Sequence, residues 1–162
     1  MKKKRAPYKV LISLLIVASI FTSAFAASAA SGANTATLKT QTKSTPYGVL
    51  TGRIEVTLND FQVGQCSDLE FDAYTTINSS TTMSEVSTEI SCVYNDTGEK
   101  PDDSWSNLRR SFNTKSCVAG VHIYPTAEHI WDKIAVFTAH QVIGTNAYVL
   151  NMSTVYDPNN WG

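Results

Sequence analysis

Few side chains in this sequence could do chemistry: three histidines (His122, His129, His140), three cysteines (Cys66, Cys92, Cys117) and several short sets of carboxylates. Imidazole titrates near neutral pH and is the commonest metal ligand. A helix over 126–141 would carry His129 and His140, eleven residues apart, on nearly one face, with Lys133 beside them and Glu128 or Asp132 to add a carboxylate. A metal needs a further ligand in fixed geometry, so the favoured expectation is three partly exposed imidazoles bonded to backbone or water. Nucleophilic catalysis has no local mark. The Gly-x-Ser-x-Gly elbow is absent, and in so serine-rich a chain the presence of Ser, His and Asp says nothing about a triad.

Carboxylates occur in two settings. Asp68, Glu70 and Asp72 alternate along one run, and on a strand neighbours of one face lie ~7 Å apart, within the range that glycoside hydrolysis uses. An alternating acidic row reads first as a solvated strand face. Asn95, Asp96, Glu99, Asp102 and Asp103 fall within nine residues. Calcium takes six to eight oxygens from loops of this kind, but the spacing departs from the EF-hand, so a soluble acidic loop is expected and no metal or cofactor is assigned.

The cysteines allow at most one internal bridge. Cys92 and Cys117 stand in matching contexts, Ser91-Cys92-Val93 and Ser116-Cys117-Val118, and neighbouring strands would pair them. The competing expectation is that all three are buried small apolar residues. No Cys-x-x-Cys spacing suggests zinc. Among the aromatics, Trp105 and Trp161 lie in polar surroundings and are the candidates for ligand contact, for instance by stacking on a sugar ring.

The elements that must position these residues read as strands. From 47 to 58, Leu50, Ile54, Val56 and Leu58 share one parity with Gly52 between them, while Thr51, Arg53, Glu55 and Thr57 take the other, the period-two mark of a half-buried strand. Runs over 66–77 and 83–94, joined by Asn78-Ser79-Ser80, read as a β-hairpin. Residues 95–107 form a polar loop, and 116–124 reads as a buried strand ended by Pro125. A hairpin of 133–142 with 147–156 is preferred to the helix over 126–141, because Ile134, Val136 and Phe137 are β-branched or aromatic and Gly144-Thr145-Asn146 makes a turn. The expected fold is all-β: an antiparallel β-sandwich or small barrel of six to nine short strands.

The chain's start has a different logic. Lys2, Lys3, Lys4, Arg5 and Lys9 precede an apolar run of 16 residues from Val10 to Phe25, short of the ~20 that a spanning helix needs. Ala24-Phe25-Ala26 and Ala27-Ser28-Ala29 then offer cleavage after 26 or 29. This is the pattern of a secretory signal peptide. The expected organisation is a signal at 1–29, a Ser/Thr/Ala-rich leader or edge strand at 30–46, and one domain over 47–162. Removal of 1–29 takes five basic residues and no acidic ones, turning a formal charge of −1 into about −6. An acidic exported domain disfavours nucleic acid and leaves no stable membrane anchor. The expected function is a secreted, non-catalytic module that binds a protein or glycan at or outside the cell envelope. The rival readings are a secreted antagonist, such as a small toxin or bacteriocin-like protein, and a small secreted hydrolase.

Overall fold

A computed structural model describes residues 34–59, 68–101, 105–126 and 128–160. The signal segment read over 1–29 lies outside them, as do Cys66, Asp102, Asp103 and Trp161. The described chain forms eight strands: β1 (Asn34–Thr45), β2 (Gly48–Asn59), β3 (Asp68–Asn78), β4 (Met83–Tyr94), β5 (Ser106–Thr114), β6 (Ser116–Ile123), β7 (Ile134–Ile143) and β8 (Ala147–Tyr156), followed by a single 3₁₀ turn at Pro158–Asn160. They make two four-stranded antiparallel sheets, β1-β2-β3-β6 and β5-β4-β7-β8. The architecture is all-β and is that of a β-sandwich. Residues 134–143 and 147–156 form the expected hairpin, in register from Ile134↔Tyr156 to Ile143↔Ala147.

The core follows from the alternation. Leu50, Ile54, Val56 and Leu58 of β2 are buried together with Phe71 of β3, Val86 and Ile90 of β4, Ile123 of β6, and Val136 and Val142 of β7. Phe71 meets the Tyr156 ring edge-on at 5.7 Å, an arrangement favoured by the aromatic quadrupole. Facing sheets of this kind exclude water from one side of every central strand, and that burial is the main stabilising term.

Three expectations need correction. β3 and β4 do not form a hairpin: β3 pairs with β2 and β6, and β4 with β5 and β7. The turn at 79–82 carries the chain from one sheet to the other. Each strand buries one face in either topology, so alternation cannot distinguish beside from across. β6 is not fully buried. It is the last strand of its sheet, with Cys117, Ala119, Val121 and Ile123 inward and Val118, Gly120 and His122 outward. Finally, β5 is a strand that the sequence reading passed over, since its only large apolar residues, Leu108 and Phe112, are exposed.

The two open sides of the sandwich differ. At one, the β1 register shifts between Thr37 and Lys39. This bulge brings Lys39 and Lys43 opposite the core-facing Ile54 and Leu50. Their ammonium groups then donate to the Ser153 and Val149 carbonyls of the β8 edge, each at 2.8 Å. Cationic side chains and bulges are a common protection of exposed strand edges. At the other side β5 and β6, joined through Lys115, leave a groove.

Candidate functional site

The floor of the groove is the outer face of the first sheet. Cross-strand register puts Glu55 (β2), Asp72 (β3) and Gly120 (β6) in one row, with Glu70 and His122 in the next row that faces the same way. The acidic row read from the sequence is therefore real, and His122 joins it. The His122 ring has Nδ1 3.4 Å from Asp68 Oδ1 and Nε2 3.2 Å from Glu70 Oε1. Arg53 Nε lies 3.2 Å from Glu55 Oε1, and its guanidinium sits 4.5 Å from the Tyr74 ring centre. Asp72 has no ion-pair partner among the described residues; it accepts a hydrogen bond from the Tyr74 hydroxyl at 3.4 Å. Partial burial pushes the Asp72 carboxyl up from the ordinary carboxylate range, and the Glu70 and Glu55 charges push it the same way against the opposing effects of Tyr74 and His122. Burial also raises the Tyr74 hydroxyl, aided by the Asp72 and Glu55 charges. Gly120 makes the arrangement possible, since a Cβ there would strike Asp72 Oδ1.

The wall is β5. Asn107, Arg109 and Ser111 stand opposite the core-facing Ile90, Thr88 and Val86 of β4, so they occupy the inner side of the second sheet. They are nevertheless polar, because the first sheet ends at β6 and no strand covers them. Asn107 Nδ2 donates to the Gly120 carbonyl at 2.8 Å and ties the wall to the floor. Arg110 Nε lies 3.7 Å from Glu85 Oε1, whereas Arg109 has no ion-pair partner among the described residues. The groove encloses about 610 Å³ and opens to solvent, with Glu70, Asp72, Arg109, Ser111, Gly120 and His122 among its lining. Both nitrogens of His122 face carboxylates. The floor and wall present charged and hydrogen-bonding groups to solvent.

The other histidines lie apart from this site. His129 Nδ1 is 2.7 Å from Asp132 Oδ2, and its ring stacks on Tyr94 at 4.5 Å. His140 corrects the expectation of exposed imidazoles, for it is fully buried. Its Nδ1 lies 2.8 Å from Thr75 Oγ1 and its Nε2 2.9 Å from Thr138 Oγ1. Thr88 Oγ1 lies 2.6 Å from Thr75 Oγ1 and donates to the Cys117 carbonyl at 3.1 Å. Burial lowers the His140 pKa to about 4. Gly52 provides the space, because a Cβ there would come within 2.5 Å of the His140 ring and 2.6 Å of Met152 Sδ.

Cys92 and Cys117 are both buried, and no disulfide joins them. Their strands belong to opposite sheets. Thr88, which donates to the Cys117 carbonyl, is four residues along β4 from Cys92, a displacement of ~13 Å. Trp105 is half-buried beneath the Lys100 ammonium, 4.2 Å from its ring centre. Trp131 and Tyr124, at 52% and 59% exposure, are the more accessible rings. Of the acidic-loop candidates, Asp96 and Glu99 are exposed, and local bonds hold their turn: Asn95 Nδ2 to Asp96 Oδ1 at 3.0 Å, and the Tyr94 N–H to the Glu99 carbonyl at 2.9 Å. Among the described residues no group of three or more His, Cys, Asp or Glu is placed to hold a metal ion.

Sequence reasoning missed Arg109, Asn107 and Gly120. The signal was present in Asn107-Leu108-Arg109-Arg110-Ser111-Phe112, an alternation in which neither parity makes a core face. The chain is thus an antiparallel β-sandwich with a charged groove along one open side. It matches no protein-family model, no curated protein and no solved structure.

Proposed function

We propose that this protein is a non-catalytic binding module that acts at or outside the cell envelope and receives its ligand in the groove between β5 and the outer face of β3 and β6. The observation that carries this reading is the presence, in one groove, of the Asp72 carboxylate and the Arg109 guanidinium, neither in an ion pair. Asp72 is half-buried, where an unpaired charge costs stability, while Arg109 is exposed on the wall across from it, and binding sites are where such cost is retained. The basic and apolar start of the sequence supports action after export.

The test compares capture of envelope glycans, envelope peptides and exported proteins by the purified protein and by a Val118→Trp variant. Val118 lines the groove and is exposed, so the indole fills the site without disturbing the core. We expect one ligand class to be retained by the wild type and bound at least ten-fold more weakly by the variant, with unchanged circular dichroism. Equal retention by both proteins, or none across all three classes, overturns the reading. Release of sugar or peptide fragments from the ligand replaces it with the hydrolase reading.

A further inference from the structure

The groove holds an Asp72 carboxylate on its floor and an Arg109 guanidinium on its wall, neither in an ion pair among the described residues, and we infer that its ligand is a zwitterion: an ammonium group placed at Asp72 and a carboxylate placed at Arg109. This inference rests on the groove being the binding site and adds the chemical class. The other charged groups of the site have side-chain contacts of their own, the His122 ring counting as a charge only when it is protonated. His122 lies between Asp68 and Glu70, Arg53 pairs with Glu55, and Arg110 with Glu85. Asp72 and Arg109 line the same space but do not approach within ion-pairing distance of each other. A purely cationic ligand would leave the guanidinium unanswered, and a purely anionic one would meet the repulsion of Glu70 and Asp72. Guanidinium takes a carboxylate through two parallel hydrogen bonds, while an ammonium is a compact point charge that fits a carboxylate approached from the open side. Gly120 leaves the β6 side of Asp72 without a side chain, and the Asn107 amide beside it is held to the Gly120 carbonyl, so floor and wall keep a fixed separation.

The experiment uses three probes of one length on the purified protein: 6-aminohexanoate, hexanoate and hexylamine, followed by amide chemical-shift titration. We expect 6-aminohexanoate to bind at least ten-fold more tightly than either single-charge probe, with shifts at Gly120 and Arg109. Asp72→Asn and Arg109→Gln should each erase the advantage. Equal affinity for hexylamine and 6-aminohexanoate overturns the zwitterionic class and leaves the groove as a cation site. Shifts confined to other parts of the sandwich, or none, also overturn the class, whereas the groove reading is then decided by the Val118→Trp comparison.

Discussion

Two polar clusters, each built around a histidine, lie on opposite sides of the same strand. Inside β3, Thr75 joins Thr88, Thr138 and His140 in the core. Outside it, Glu70 and Asp72 share their face with His122 and look across at Arg109. The inner cluster is closed: its groups are neutral hydroxyls and a neutral imidazole, and among the described residues no buried side-chain polar atom lacks a partner. The outer cluster is open to solvent, and among its members Asp72 and Arg109 stand in no ion pair among the described residues. The difference separates two uses of polarity. A satisfied buried network fixes how the two sheets meet, whereas charge without an ion pair at a solvent-facing groove adds little to the fold, and under the proposed function it is what a ligand would meet.

The largest expected effect tests the inner cluster through its space. Gly52→Ala places a methyl within 2.5 Å of the His140 ring and 2.6 Å of Met152 Sδ. The Met152 thioether can turn aside, but the His140 ring is held at both nitrogens by Thr75 and Thr138 and cannot swing away without breaking those bonds, so we expect a loss of about 3 kcal/mol in denaturant-measured stability. A loss below about 1 kcal/mol would mean that the core around His140 is loose. The pH test comes next. The ring is surrounded by Thr75, Thr138, Gly52 and Met152, with no charged group in contact. An unfolded imidazole takes a proton below the ordinary value of 6.5, while the folded one refuses it until about 4. Its contribution is therefore complete above pH 6.5 and declines as pH falls toward 4, by about 1.4 kcal/mol per pH unit inside that window. Subtracting the profile of His140→Gln isolates it, and parallel profiles would refute the closed-network description. Thr88→Val keeps the shape and removes the hydroxyl that donates to the Cys117 carbonyl, and should cost about 1.5 kcal/mol in the same unfolding assay. A neutral result would assign the stability of the cluster to packing alone.

Legibility in the sequence divides along the same line. The central strands were legible because one face of each had to be apolar, and so was the β7–β8 hairpin, through its turn at Gly144-Thr145-Asn146. The acidic row on β3 was legible because it is alternation within one strand. What depends on two strands was not. A Cys92–Cys117 bridge depends on which strands are neighbours, and the two sheets separate them. His140 entered the core because a glycine 88 residues earlier leaves it room, a relation no local pattern carries. Arg109 belongs to a strand without a buried apolar face, and only the overhang of β5 beyond β6 brings it to the groove.

The smallest effect has the opposite sign and belongs to the outer cluster. Asp72 faces Glu55 across the strand pair and has Glu70 beside it on the same face, and like charges directly opposite destabilise a sheet. Its carboxyl is raised in the folded protein, so the stability it brings is fully present only below the ordinary value of 3.8 and declines as pH rises through the folded value. Asp72→Asn removes the repulsion and should therefore stabilise the protein at pH 7, by about 0.5 kcal/mol, with the gain vanishing below pH 3.8 where the wild-type carboxyl is neutral in both states. The same variant should lose the zwitterionic probe. Gain of stability with loss of binding in one substitution is the signature of a residue kept for a ligand; a variant less stable than wild type at pH 7 would place Asp72 with the structural residues of β3 instead.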